Sequence, residues 1–134
     1  MNSKQFNAFC AALHATSYVC QWGGADVWKV GGKVFAIAGW GDRLTADITF
    51  KTTPLSYEIL RQQPGLRPAP YLASRGMKWI QHYDKQGLSD PDLKYYLKES
   101  HRLAWLGLSK KKQQELGLNP DEQAQAPRRL CDGR

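Results

Sequence analysis

Basic and aromatic residues alternate through the middle of the 134-residue chain, and no other pattern in it has a clearer chemical meaning. The basic residues of this stretch are Lys51, Arg61, Arg67, Arg75, Lys78 and Lys85, and the aromatic residues among them are Tyr71, Trp79 and Tyr83. Lysine and arginine neutralise phosphates, while aromatic rings stack on bases or pack beside sugars. The pattern therefore favours a nucleic-acid contact, although a solvated basic face around a core tryptophan would look the same.

The formal net charge of +7 is distributed unevenly along the chain. Residues 51–112 hold twelve Lys and Arg against five Asp and Glu, whereas the segments on either side are close to neutral. An excess of this kind favours an anionic partner and carries no information about the fold. Five tryptophans, six tyrosines and four phenylalanines supply material for a core, which excludes a chain that is disordered throughout.

The sequence contains no recognisable catalytic motif. Gly32-Lys33 invites comparison with a phosphate-binding loop, but Val27 and Val34 stand where that motif needs a glycine and a serine or threonine. No G-x-S-x-G segment is present, and no pair of carboxylates stands out from those that a helix start explains. We therefore expect a protein that is not an enzyme and that needs no cofactor.

Histidine and cysteine are scattered rather than grouped. The histidines are His14, His82 and His101, and the cysteines are Cys10, Cys20 and Cys131. None has the spacing of a metal site, and an odd number of widely spaced cysteines does not fit a disulfide framework. We expect surface or half-buried histidines, two small buried cysteines at Cys10 and Cys20, a free thiol at Cys131, and no metal.

Hydrophobic periodicity predicts the elements that must position the basic residues. A helix is expected from Ser3, its N-cap, to about His14. Strands are expected at residues 17–22, 26–30, 33–39 and 44–51. Gly31-Gly32 predicts a tight hairpin turn, because glycine accepts the positive φ angles of such turns, and Trp40-Gly41-Asp42 supplies the next turn. The strands read as an antiparallel meander with one face on a core, since Ile48 and Phe50 alternate with polar residues.

The second half of the sequence predicts three helices, each with a recognisable N-cap, and one more strand. Thr53-Pro54 opens a helix that carries Leu55, Ile59 and Leu60, residues 64–76 read as irregular, and residues 77–83 read as a fifth strand. A long helix capped at Asp90-Pro91 presents the apolar stripe Leu93, Tyr96, Leu97, Ser100 and Ala104, and a short helix follows from Ser109 to Gly117. We expect one α+β domain over residues 1–118, with helices at both ends, and a flexible polar tail over 119–134.

The first residues raise the question of a secretory signal. Their apolar part is short, is interrupted by Asn7 and has helical spacing, so we interpret it as a mature helix. The longest apolar stretch, residues 34–40, is far shorter than the roughly 20 residues of a membrane-spanning helix. We expect a cytoplasmic monomer with no membrane contact.

Four motifs, in this order of elements, resemble those of the MmcQ/YjbR family of small bacterial proteins. They are the strand–Gly-Gly–strand segment at residues 26–36, the strand ending at Lys51 before Pro54, the irregular stretch from Leu66 through Tyr71 to Lys78-Trp79, and the last helix with Leu108-Ser109-Lys110-Lys111. The resemblance covers residues 3–118. One departure is that residues 74–79 keep basic residues and the tryptophan but lack the asparagine and histidine of the family's pattern.

The resemblance implies an antiparallel sheet packed on helices, similar to the secretion-chaperone-like architecture. It also implies DNA binding, on the idea that two basic β wings reach the duplex. On this basis the candidate DNA-binding residues are Lys29, Lys33, Lys51, Arg67, Arg75, Lys78 and Trp79. Lys29 and Lys33 would present one wing beside the Gly-Gly turn, the others would line a second contact, and Trp79 would act as packing support or as a stacking surface. We expect phosphate contacts to dominate, because the sequence offers no recognition helix.

Two other functions stay open at this stage. A chaperone-like α+β domain can dock a protein partner on its sheet or on an exposed aromatic patch, and five tryptophans leave room for such a patch. A weaker alternative is a small-molecule cleft beside Trp79, which would need convergent polar groups that no linear motif announces.

Overall fold

A sheet with helices on one face accounts for the residues that the computed structural model describes, which are 1–39, 47–70, 72, 75–84 and 87–118. The strands are β1 (Thr16–Gln21), β2 (Ala25–Val30), β3 (Lys33–Ala38), β4 (Ile48–Lys51), β5 (Leu66–Pro68) and β6 (Trp79–His82). The helices are α1 (Ser3–Ala12), α2 (Pro54–Leu60), α3 (Asp90–Leu106) and α4 (Lys110–Glu115). All strand pairs are antiparallel and the order is β1-β2-β3-β4-β6-β5. The predicted α+β architecture is therefore confirmed.

The two faces of the sheet follow from the strand register. Trp28, Ala36, Phe50 and Ile80 lie opposite one another and define the face that the helices cover. We call the other side the back face and define it by one row of register partners, which we call the back-face row. The back-face row is Val27, Ile37, Thr49, Gln81 and Arg67.

Each face carries a hydrophobic cluster. Under the helices, Phe6, Trp28, Phe35, Leu97 and Trp105 belong to the larger cluster. The smaller cluster on the back face consists of Ala25, Val27, Ile37, Ala69 and Trp79, with Val19, Val34 and Leu72 partly buried against it. The sequence predicted a core on one face only. The second cluster exists because the chain after β5, which contains Ala69 and Leu72, packs onto the back face.

The hairpin between β2 and β3 has the predicted turn. Gly31 and Gly32 have φ angles of +59° and +86°, and positive values at both central residues are what a type I′ turn requires. A Cβ at Gly31 would also lie 2.5 Å from the Leu108 side chain, so this turn is packed against the chain that follows α3.

Helix ends are near their predicted positions, but two of the caps are different residues. The side chains of Asn2 and Ser89 accept the capping hydrogen bonds of α1 and α3, rather than Ser3 and Asp90. Thr53 and Ser109 cap α2 and α4 as predicted. Asparagine and serine both cap well, and neighbouring polar residues make the choice ambiguous in the sequence.

Of the three apolar residues expected on α2, one is buried and two are exposed. Leu55 and Ile59 are 71% and 51% exposed, whereas Tyr57 and Leu60 are buried. Only the face of this seven-residue helix that is turned toward β5 and β6 is covered. Tyr57 and Leu60 are three positions apart and therefore share that face. The expectation that residues 64–76 lack regular structure was wrong, because β5 lies within them and pairs with β6.

The cysteines differ in exposure. Cys10 is buried on α1 as predicted, and burial raises the pKa of its thiol well above the usual range. Cys20 lies on β1 but is exposed, so the expectation of a buried residue was wrong there. Cys131, the tail over 119–134, the turn at residues 40–42, and the candidates Tyr71 and Lys85 lie outside the described residues.

Two histidines are more buried than the sequence suggested. His82 and His101 are 8% and 5% exposed. Nε2 of His101 is 2.8 Å from the carbonyl oxygen of His14, and Nε2 of His82 has no hydrogen-bond partner in the part of the chain that the structure describes. Burial lowers the pKa of both imidazoles, so both favour the neutral form in the folded protein.

These histidines predict a loss of stability in mild acid. The unfolded state binds more protons than the folded state once the pH falls below about 6.5, the ordinary histidine value. The free energy of unfolding should then decrease from pH 7 to pH 5, by up to about 1.4 kcal/mol per pH unit for each histidine. Urea denaturation at both pH values measures this. A double variant His82→Gln and His101→Gln should have a flatter profile, and an unchanged slope would contradict the prediction.

Candidate nucleic-acid interface

Three of the predicted basic residues lie on the back face. Lys29 is opposite Val34 in the β2–β3 ladder, and Val34 packs against the back-face cluster. Lys51 follows Thr49 by two residues on β4, so strand alternation puts it on the same face. Arg67 is the member of the back-face row on β5, at the edge of the sheet. The structure therefore brings Lys29, Lys51 and Arg67 to one side of the molecule.

Arg67 is held in place by its neighbours on β6. Its Nε donates a hydrogen bond of 2.7 Å to Oε1 of Gln81, and its guanidinium carbon lies 4.7 Å from the centre of the Tyr83 ring. Stacking on an aromatic ring favours a guanidinium in a fixed plane. The Nη groups donate to no other residue in the described part of the chain, so this exposed side chain retains donors for an anion.

Lys51 is positioned through its main chain. Oγ of Ser100, which is fully buried on α3, lies 2.6 Å from the Lys51 carbonyl oxygen and 2.8 Å from that of Tyr96. One hydroxyl proton serves both acceptors, and the contact links the end of β4 to α3. Lys51 is half-buried and lies opposite Trp79 in the β4–β6 ladder.

The other predicted basic residues lie elsewhere. Lys33 is opposite Val30, on the helix-covered side, and its side chain lies next to Gly107, the C-cap of α3. An ammonium group there interacts favourably with the negative end of the helix dipole. Lys29 and Lys33 therefore flank the same turn on opposite faces, and the structure does not join them into one wing.

Lys78 and Arg75 belong to the chain that leads into β6. The Lys78 ammonium lies 4.8 Å from the centre of the Tyr57 ring, and the guanidinium carbon of Arg61 lies 5.2 Å from the same centre. The sequence pattern did not indicate that Tyr57 would gather two cations. Arg75 is exposed between β5 and β6.

Trp79 is a packing residue in this structure. It is 4% exposed and belongs to the back-face cluster, so its ring offers no surface on which a base could stack. Among the described residues, neither its indole nitrogen nor the hydroxyl of Thr49 has a hydrogen-bond partner. The sequence pattern did not indicate a role for Thr49 or Gln81. Thr49 is two residues before Lys51 and Gln81 is two residues after Trp79, so each shares a strand face with a candidate residue, and this spacing could have identified them.

The back-face cations form no ion pair with any residue that the structure describes. In the described residues, the basic groups that pair are the N-terminus with Asp90, Arg61 with Glu58, and Arg102 with Glu99. None of these pairs includes Lys29, Lys51 or Arg67. Their charge is therefore available to an external anion.

The described part of the chain contains neither a candidate metal centre nor a candidate membrane span. Within the described ranges, histidine, cysteine and carboxylate side chains form no group of three that could hold a metal ion. No helix in the same ranges has the length and apolar character needed to cross a membrane.

Solved structures with a similar fold are known from two bacteria. The crystal structure of the Deinococcus radiodurans protein DR2400, with a DUF419 domain, matches with a TM-score of 0.74 and 22% identity, covering 88% of this chain and 89% of that one. A protein from Pseudomonas syringae matches with a TM-score of 0.61 and 21% identity, covering 78% of this chain and 99% of that one. At these identities the likeness concerns the fold alone. No curated protein shows a significant sequence match.

The sequence also matches a family model. The YjbR model matches residues 11–103, a range that runs from the end of α1 to the last turn of α3 and includes all six strands described above. It therefore contains Lys29, Lys51 and Arg67 together with the elements that position them. The chain belongs to the MmcQ/YjbR family.

Proposed function

We propose that this protein binds duplex DNA, chiefly through the phosphate backbone, with Lys29, Lys51 and Arg67 as the contact residues. The observation that carries the proposal is the presence of these three cations on one sheet face without ion-pair partners in the described residues. Unpaired cations on a rigid surface are what a phosphate backbone requires, and no base-specific contact is needed.

The spacing of the three residues suits an extended anion. Lys29 and Arg67 are on β2 and β5, which are four steps apart in the strand order. At about 4.8 Å per step the two residues are about 19 Å apart across the sheet. That distance is comparable with about half a helical turn of duplex, and Lys51 on β4 lies between them.

Replacement of all three residues by alanine should weaken duplex binding and its salt dependence together. If each residue neutralises one phosphate, the slope of log K against log salt concentration should become less negative by about 2.7. Fluorescence anisotropy with a labelled duplex at several salt concentrations measures both quantities. The matched control is the triple alanine variant of Lys4, Lys94 and Lys98, which are exposed on α1 and α3 and remove the same charge.

Comparing the two triple variants distinguishes a DNA contact on the back face from a nonspecific effect of net charge. The proposal expects the back-face variant to lose most of the affinity and the control variant to bind almost as the wild type does. Equal losses in the two variants would contradict a contact on the back face. Absence of wild-type binding at low salt, or binding that salt does not affect, would contradict DNA binding itself.

A further inference from the structure

Two polar groups buried on the back face lack hydrogen-bond partners within the described ranges. Thr49 and Trp79 are 1% and 4% exposed, and neither Oγ1 of Thr49 nor Nε1 of Trp79 makes a hydrogen bond. Burying such a group without a partner costs about 1–3 kcal/mol, so native proteins rarely leave one unpaired. Two such groups that are neighbours on one sheet face can be satisfied together by a single bound group.

Thr49 and Trp79 lie close to Gln81, which is hydrogen-bonded to Arg67. Thr49 is directly opposite Gln81, so their Cβ atoms are about 5 Å apart. Trp79 is two residues before Gln81 on β6, which puts it about 7 Å away along the same face. Gln81 is itself buried and uses its amide oxygen to accept from Arg67. Its amide nitrogen donates to no other residue in the described ranges.

The free groups are almost all donors. The indole N–H of Trp79, the amide nitrogen of Gln81 and the Nη groups of Arg67 can only donate, while the Thr49 hydroxyl can do either. Arg67 adds a positive charge, and half-buried Lys51 lies opposite Trp79. Asp47 lies two residues before Thr49 and has interactions of its own. A ligand that satisfies this set must offer acceptor oxygens and a negative charge.

We propose that Thr49, Gln81, Arg67 and the Trp79 indole form a binding site for a small oxyanion, a phosphate or a carboxylate. Arg67 is exposed at the sheet edge and Thr49 is buried, so the site extends inward from the surface. The site goes beyond the proposed DNA contact and does not depend on it. A duplex backbone is too large to contact the buried Thr49 and Trp79, so the occupant proposed for this site is a small anion.

The indole N–H signals of the wild-type protein provide the first test. The protein is titrated with sodium phosphate and, separately, with sodium acetate at constant ionic strength, and the ¹H–¹⁵N spectrum is followed. Trp79→Phe assigns the Trp79 signal. The Trp105 indole is the internal control, because it is also buried and unpartnered but belongs to the cluster under the helices.

The expected result is a saturable shift of the Trp79 signal and no shift of the Trp105 signal. A response to phosphate alone identifies a phosphate site, and a response to acetate alone identifies a carboxylate site. If neither anion moves the Trp79 signal more than the Trp105 signal, the proposal is wrong.

Thr49→Val provides the second test, because valine has nearly the same shape but no hydroxyl. Affinity for the anion that binds should fall about tenfold, since one hydrogen bond to a charged group is lost. Without anion, the melting temperature should be unchanged or higher, because an unpaired buried hydroxyl has been removed. Duplex binding should not change, which distinguishes this site from the DNA contact. Unchanged anion affinity in Thr49→Val would overturn the site.

Discussion

Gly65→Ala is expected to lower the free energy of unfolding by about 2–5 kcal/mol. Gly65 has a φ angle of +81°, where an alanine is strained. A Cβ at this position would lie 2.6 Å from the backbone nitrogen of Gly87, 2.8 Å from its Cα and 3.0 Å from the carbonyl oxygen of Asp84. All three atoms belong to the backbone, so the chain around β5 and β6 would have to shift. Chemical denaturation measures the loss.

Gly23→Ala is the matched control for this variant. Gly23 has nearly the same φ angle, +79°, but a Cβ there would meet no atom within 4 Å. Its cost should be confined to the backbone strain of about 1–2 kcal/mol. Equal losses in the two variants would show that the close approach of Gly65 to Gly87 has no energetic effect. Gly65 directly precedes β5, so Gly65→Ala should also move Arg67 and weaken duplex binding.

Leu97→Ala is expected to destabilise the protein by about 2–5 kcal/mol. Leu97 is fully buried on α3, in the cluster between the helices and the sheet. Removing its side chain loses the transfer free energy of the removed atoms and leaves a cavity that the dense core fills only in part. The same denaturation experiment measures the effect, and the slope with denaturant concentration should not change.

The control is the same substitution at an exposed leucine. Leu55 is 71% exposed on α2, so Leu55→Ala should change the free energy of unfolding by about 0.5 kcal/mol or less. A large loss at Leu55 would contradict the exposure of this side chain. Together the two variants test burial directly, because the residue type and the substitution are identical.

The fold was predictable from the sequence wherever the residues of a single helix or turn were enough to determine its structure. The Gly31-Gly32 hairpin and the Leu93–Leu97–Ala104 stripe of α3 could be interpreted locally because turn chemistry and helical spacing are local properties. Strand β5 could not, because three residues give too short a pattern and their pairing with β6 is a tertiary contact. The exposed face of α2 was missed for the same reason, since Tyr57 is covered by β5, β6 and two cations.

The candidate site was predictable in residue type more than in position. Charge counts drew attention to Lys51 and Arg67, but they did not say which face of the sheet each basic residue would occupy. In the hairpin, Lys33 pairs with Val30 and Lys29 pairs with Val34, so strand alternation alone puts Lys29 and Lys33 on opposite faces. Their grouping as one wing overlooked this register. Thr49 was missed because its interest comes from a buried hydroxyl without a partner, and Gln81 was missed because its hydrogen bond with Arg67 is a tertiary contact; the sequence records neither.

The strand order has a consequence for how the chain folds. β6 lies between β4 and β5, although β5 precedes it in the sequence. The β2–β3 hairpin closes across two residues, whereas the β4–β6 ladder joins Lys51 to Trp79 and must close a much longer loop. We expect the N-terminal meander to form early and the centre of the sheet to be completed late, when β6 inserts. The surface that carries Arg67 and Gln81 would then be among the last parts of the protein to form, so a nascent chain would acquire the proposed anion-binding face only near the end of folding.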